Sequence, residues 1–273
     1  MRYATVQTLK EEDFKRLTGV QRRTFEKMLE VVQSGLRDFG RPPKLSRADQ
    51  LLLTLMYWRE YRTEFHIGAT YAVSEATVCR TIKKVEDVLI KSKQFHLPGK
   101  KVLKPSDTVI EIVLVDATEQ PIERPKKKQR RHYSGKKKRH TQKAQVIANL
   151  NTQEILATDF GKGRDHDFQL FKRSGCTISQ QICAVADAGY QGLAELHANS
   201  QTPAKKSKLH PLSQDQKISN RALSPKRILI ENIICRLKIF RILSERYRNR
   251  RRRFGLRFNL IAAICNLELK IEH

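Results

Sequence analysis

What the 273-residue chain lacks narrows its class before any motif is read. No uninterrupted apolar run reaches the ~18 residues of a membrane-spanning helix, and no basic amphipathic helix stands in for one. The opening MRYATVQTLKEEDF has no apolar core of a signal peptide. Cysteine is sparse: Cys79, Cys176, Cys183, Cys235 and Cys265 are odd in number and widely spaced, which excludes zinc spacing and a disulfide framework and points to reduced thiols in the cytoplasm. Tryptophan occurs once, as Trp58, and its neighbours place it in a core. Acidic residues are the telling shortage, 28 Asp and Glu against 54 Lys and Arg, for a net charge of +26. Such self-repulsion suits a polyanionic partner, and without a membrane feature that partner is nucleic acid. With 39% hydrophobic residues the chain can build a core in one large domain or two modest ones, so disorder is excluded.

Residues 1–40 form a helical segment, with Phe25, Met28, Leu29 and Val32 at the spacing of a helix near 20–35. Gly40-Arg-Pro-Pro-Lys44 then breaks the chain. Ser46-Arg-Ala-Asp49 has the capping-box pattern, in which Asp49 returns to the cap, and Leu51, Leu52, Leu55 and Met56 follow on one face. A second short helix from Thr63 carries Phe65, Ile67 and Tyr71. Ser74 caps a third, whose Val78, Ile82, Val85 and Leu89 make a continuous apolar stripe. Opposite lie Glu75, Thr77, Arg80, Thr81, Lys83 and Lys84. Over residues 41–97 this reads as an all-α helix-turn-helix whose third helix enters the major groove. Ser74, Thr77, Arg80, Thr81, Lys83 and Lys84 are its candidate DNA-binding residues. Ala72 stands where glycine is common in such a turn. A plain helical bundle with a solvated face fits the same pattern, and the net charge favours the DNA-binding reading.

Beyond residue 97 the period changes. Val109 to Ile122, VIEIVLVDATEQPI, has the composition of a strand buried on both faces and delivers Asp116. A carboxylate there either caps the following turn or binds a metal, because a buried charge needs compensation. Nine of the fifteen residues from Lys126 to His140 are Lys or Arg, interrupted by Tyr133 and Gly135. As a loop between strands this stretch suits phosphate contacts, with Lys136 and Lys137 as DNA-binding candidates. TQKAQVIANL and EILATDF, joined at Asn151-Thr152, read as an antiparallel pair. A polar loop carrying Asp165, His166 and Asp167 leads to a short helix; these residues and Asp159 read as solvated or capping. QICAV runs into Asp187, with Gly189 for a tight turn, and a helix follows from Leu193 to Ala198.

Ser224-Pro225 is a strong helix start for a long helix ending near Ser244. On it Arg227, Glu231 and Lys238 project from one face of an otherwise apolar surface. Six of the eight residues from Arg246 to Arg253 are arginine, and Arg250 and Arg251 join the DNA-binding candidates. A closing helix spans Leu256 to Ile271.

The order of these elements, with LVDATEQPI around Asp116, VADAGYQG around Asp187, and Arg227, Glu231 and Lys238 at their spacing, resembles the DDE transposases of the insertion sequence 5 family. The resemblance covers roughly residues 40–268. A tyrosine or histidine is frequent three residues before the arginine in that family, and Ser224 stands there in this chain. The resemblance implies an α/β (α+β) protein: a ribonuclease H-like catalytic domain with a mixed five-stranded sheet over residues 98–273, preceded by the helix-turn-helix domain. It implies Asp116, Asp187 and Glu231 as catalytic residues and metal ligands, with Asp116 bridging two magnesium ions, for which manganese can substitute. Arg227 and Lys238 would position phosphate near the site. Three carboxylates without histidine or thiolate suit magnesium, and paired ions are what nucleases and polymerases use. The expected function is binding of terminal inverted repeats, metal-dependent cleavage of double-stranded DNA and strand transfer to target DNA. The active form would be a homo-oligomer in the bacterial cytoplasm, at the nucleoid when DNA-bound, with no membrane and no organic cofactor. The alternative is a non-catalytic or domesticated DNA-binding protein of the same fold. A nuclease for RNA or hybrids fits less well, because the deep, narrow groove of A-form RNA does not admit a recognition helix.

Overall fold

The computed structural model describes residues 1–37, 42–104, 110–206, 211–249 and 251–272; Gly40, Arg41, Val109 and Arg250 lie outside them. Two compact units result. One takes Met1–His96, Leu237–Glu245 and Arg252–His273, the other Leu97–Arg236 and Arg246–Arg251.

The first unit is helical: α1 (Tyr3–Val6), α2 (Glu11–Thr18), α3 (Arg22–Gly35), α4 (Arg47–Glu60), α5 (Glu64–Tyr71) and α6 (Glu75–Lys91). Helix α4 is its axis. Every residue from Asp49 to Trp58 is buried, so its apolar surface goes all round, beyond the single face expected. Ser46 caps it by accepting the Asp49 N–H at 3.1 Å. The Asp49 carboxylate does not return to the cap: it accepts the Tyr3 N–H at 2.7 Å and pairs with Arg2 at 3.3 Å.

Helices α5 and α6 form the helix-turn-helix. Ser74 accepts the Thr77 N–H at 3.3 Å as the cap of α6, and Val78, Ile82, Val85 and Leu89 are buried as their spacing predicts. Thr81 and Glu86 flank that stripe and are also buried, because α6 packs against α3, α4 and α5 and the stripe widens to meet them. Thr81 is thus 8% exposed, not a free member of the opposite face. Phe65, on α5, is exposed. The turn is tight: a side chain on Gly68 would lie 2.6 Å from the Val73 carbonyl oxygen, and Ala72 takes a left-handed φ of 54°. That conformation costs an L-residue ~1 kcal/mol, so Ala72→Gly is expected to raise the melting temperature by roughly 2 °C in a thermal melt, with DNA binding retained.

The closing helix, α10 (Phe254–Glu272), also belongs to this unit, packing on α3 and α6. The sequence reading placed it with residues 98–273. Phe258, Leu260, Ile261, Ala262 and Ile264 are all buried, and a helix apolar on several sides needs several neighbours. No helix among the described residues is long and apolar enough to cross a membrane, and the five cysteines are free thiols.

The second unit is built on a mixed sheet of β1 (Ile112–Pro121), β2 (Tyr133–Ser134), β3 (Arg139–Asn149), β4 (Ile155–Lys162), β5 (Cys183–Ala186) and β6 (Ser200–Gln201). Its long path runs β4-β3-β1-β5-β6, with β2 extending the start of β3. Strand β1 is antiparallel to β3 and parallel to β5, and β5 is parallel to β6. This is the mixed arrangement expected. One face carries Val113, Val115, Ile147, Ala184 and Ala186, covered by Phe171 of α7 (Asp167–Ser174), Tyr190, and Leu193 of α8 (Leu193–Leu196).

The long helix α9 spans Gln214–Lys238, with Pro225 inside it. It starts eleven residues earlier than Ser224-Pro225 suggests because a true capping box lies upstream. Ser213 accepts the Gln216 N–H at 3.2 Å while the Gln216 side chain accepts the Ser213 N–H at 3.0 Å. Asn220 adds two hydrogen bonds to Ala204. Pro225 removes one helical bond, and its turn is tolerated where Arg221 and Ser224 face solvent. Beyond it Ile230, Ile233, Ile234 and Leu237 are buried, whereas Ile228 and Ile239 are exposed.

Candidate active site

The strand register sets two aspartates side by side. Val115 of β1 pairs in parallel with Ala186, the last residue of β5, so Asp116 and Asp187 follow at the same level, on strands ~4.8 Å apart. Val115 and Ala186 point into the core. The alternation of a strand then sends both aspartates to the opposite face. There they meet α9: Asp116, Asp187, Arg227, Ile230 and Glu231 line one cavity of about 30 Å³, close to the volume of one water molecule.

The three carboxylates differ. Asp116 is largely buried and accepts the N–H of Ala117 at 2.7 Å; burial pushes its carboxyl up to about 7, against that hydrogen bond, and the charges of Asp187, Asp167 and Glu231 add to the rise. Asp187 is half-buried and paired with Arg227 Nη2 at 2.6 Å. Glu231 is exposed, one helical turn beyond Arg227. Lys238 ends α9 and is counted with the helical unit. Among the described residues, no three carboxylate, imidazole or thiolate groups stand close enough to enclose a metal ion as they are. The Arg227 guanidinium takes the Asp187 oxygen instead.

This site still fits a hard divalent cation. Its donors are oxygens only, and Asp116 is a mostly buried carboxylate to which Asp187, Asp167 and Glu231 add negative charge. A cation there would take the place of Arg227 at Asp187.

Asp167 and Tyr190, which the sequence does not assign to the site, lie within electrostatic reach of Asp116. Asp167 bonds to Lys143 Nζ at 2.6 Å, and Lys143 is 7% exposed and also reaches Glu119 at 3.7 Å. A side chain on Gly189 would lie 2.6 Å from Asp167 Oδ2. A side chain at position 189 would thus have to displace the Asp167 carboxylate, the backbone there is not left-handed, and Asp167 packs on the loop that carries Asp187. The Tyr190 hydroxyl is buried without a hydrogen-bond partner. Burial raises its pKa well above the ordinary value, with Asp116, Asp167 and Asp187 contributing. Lys143 had a readable signal: it stands opposite Glu119 in the paired strands. Asp165 accepts the Lys162 N–H at 2.8 Å and pairs with Arg173 and His166 is exposed, in keeping with capping or solvated roles, whereas Asp159 is half-buried in an ion pair with Lys100.

The DNA-binding candidates fall in separate places. Ser74, Thr77, Arg80, Lys83 and Lys84 line the start and outer side of α6. Lys136 and Lys137 occupy the exposed turn between β2 and β3, where the Lys137 N–H bonds to Ser134 at 3.2 Å. Arg251 hydrogen-bonds to His132, and burial together with Arg251 and Lys162 lowers the pKa of that imidazole.

A family model described as DDE superfamily endonuclease matches residues 115–266, and one described as helix-turn-helix of DDE superfamily endonuclease matches residues 43–94. A protein of Microchaete diplosiphon named as the probable transposase for insertion sequence element IS702 is 48% identical over 275 residues, covering 100% of both chains. Two aspartates on adjacent inner strands that share a cavity with a helical glutamate, in a chain that also carries its own helix-turn-helix, agree with those matches, and the chain belongs to the DDE superfamily endonucleases, as a DNA-binding transposase dependent on divalent metal.

Proposed function

We propose that the protein binds the terminal inverted repeats of an insertion sequence through α6, cuts the phosphodiester at the element ends, and joins the freed 3′-hydroxyl to target DNA. The observation that carries the reading is the convergence of Asp116, Asp187 and Glu231 on one cavity, with Asp116 held near neutrality by burial and by its acidic neighbours. Asp116, Asp187 and Glu231 would hold two magnesium ions, or manganese in their place. Bound there, the metal supplies activation of the attacking water or 3′-hydroxyl and stabilisation of the leaving oxygen. Arg227 keeps Asp187 compensated before that and is then released toward a DNA phosphate. Lys238 follows Glu231 by seven residues, two helical turns or ~10.5 Å, and reaches phosphate further along the strand. Thr77, Arg80, Lys83, Lys84, Lys136, Lys137 and Arg251 serve duplex contacts, with Ser74 and Thr81 as the cap and inner edge of the reading helix. Arg250 shares the arginine run. Pairing of two ends calls for a homo-oligomer, acting in the cytoplasm.

Cleavage of a duplex carrying the element end tests the reading. Nicking at the end is expected with magnesium and not with EDTA. Asp187→Ala should lower it on the order of 10³-fold while duplex binding stays within about twofold of wild type. Equal cleavage by Asp187→Ala and wild type would defeat the assignment.

A further inference from the structure

The second unit holds a larger cleft that none of these roles uses. It measures about 650 Å³ and is lined by Gln129, Arg130, Tyr133, Gly135, His140 and Arg164, with no carboxylate among them. Tyr133, on β2, is 42% exposed, so part of its ring is open to a ligand. Its ring and that of His140 make an edge-to-face pair, 5.6 Å between centroids and tilted 76°, which orients the tyrosine. A side chain built on Gly135 would meet nothing within 4 Å, so the cleft mouth is open on that side.

The frame beneath is rigid. The Thr141 N–H bonds to the His132 carbonyl at 2.7 Å, the Ile122 N–H to the His140 carbonyl at 3.0 Å, and the Arg164 N–H to the Arg131 carbonyl at 3.4 Å. Gln129 accepts from Arg124 at 3.0 Å. Two arginines from separate segments, Arg130 and Arg164, thus line the same cleft as the Tyr133 ring. Duplex DNA offers phosphates to such a surface but keeps its base faces stacked inside. An unstacked base can use both parts, its face on the tyrosine and its phosphate on arginine.

We infer that this cleft binds single-stranded DNA, stacking one unpaired base on Tyr133 while Arg130 and Arg164 hold the adjoining phosphates. Asp116 lies opposite Val146 in the sheet, and His140 is six residues back along β3, so the cleft stands ~20 Å along the strand from the aspartates. That is the length of about six stacked nucleotides. The inference rests on the family's action on DNA and not on the roles of the three carboxylates.

The test is binding of the full chain in EDTA, by fluorescence anisotropy, to a labelled oligothymidine of about 15 nucleotides and to a duplex of the same length at one salt concentration. Tyr133→Ala is expected to weaken oligothymidine binding on the order of tenfold and duplex binding less than about twofold, with Tyr133→Phe close to wild type on both. Because Tyr133 is exposed, the melting temperature should not move. No loss on oligothymidine, or equal loss on both probes, would overturn the inference and leave a general phosphate surface. Since no cleavage is read, that result would leave the carboxylate assignment untouched.

Discussion

Asp116→Asn is expected to abolish cleavage and at the same time to stabilise the metal-free protein above neutral pH. The Asp116 carboxyl is raised from 3.8 to about 7, so the folded chain keeps a proton that the unfolded chain releases. Stability contributed by this group is therefore greatest below the unfolded value, falls as pH rises between the two values, and stays low above about 7. At ~1.4 kcal/mol for each pH unit of displacement, the strain on the ionised form is roughly 4 kcal/mol. Asparagine removes the charge but leaves a buried amide to satisfy. A net gain of about 2 kcal/mol, or roughly 5 °C in melting temperature, follows at pH 8 and vanishes at pH 5. Thermal melts of both proteins in EDTA at those two pH values check it. Magnesium should then raise the melting temperature of the wild type and not that of the variant. A variant no more stable than wild type at pH 8 would mean that water already solvates the Asp116 carboxylate.

The parts of this arrangement legible in sequence are those set by local period. Six apolar residues ending in Asp116, a short apolar run ending in Asp187, and the i, i+4 relation of Arg227 and Glu231 each declare their geometry within a single element. The stripe of Val78, Ile82, Val85 and Leu89 did the same for the recognition helix. What escaped depends on pairs far apart in the chain. Nothing near Asp167 announces that its carboxylate excludes a side chain at position 189, since the partner comes from the loop after another strand. The start of α9 was misplaced for a different reason: Ser213-Gln-Asp-Gln216 and Ser224-Pro225 are both valid start signals, and the proline is the stronger by composition. The tertiary bonds of Asn220 to Ala204 favour the earlier one. The closing helix could not be assigned to a unit from its own pattern, because apolar residues on several sides say how many neighbours it needs and not which ones.

Within the apolar core of the helical unit one buried charge ties several elements together, and removing that charge is expected to cost more than any surface change. Glu86 on α6 is 0% exposed. Its Oε1 accepts Trp58 Nε1 at 3.1 Å and Arg257 Nε at 2.6 Å, and its Oε2 accepts Arg253 Nε at 2.6 Å. Arg253 also reaches Asp87 at 2.7 Å, so one carboxylate joins α4, α6 and the chain at the start of α10. Arg257 is itself 3% exposed, with its guanidinium 5.4 Å from the Tyr57 ring centroid. Glu86→Ala would remove a buried carboxylate that two arginines and Trp58 share, a loss of about 3–5 kcal/mol and a melting temperature roughly 10 °C lower. Duplex binding should weaken with it, because the same carboxylate anchors the recognition helix to its neighbours. Apolar replacement of both partners, Glu86→Met with Arg257→Met, removes the uncompensated charge and is expected to recover most of the melting temperature. Recovery in the double variant separates the electrostatic cause from simple loss of packing, since both variants lose the hydrogen bond to Trp58. If Glu86→Ala melted within about 2 °C of wild type, water would have to reach Arg257, and the buried pair would not be what holds α10 on the recognition helix.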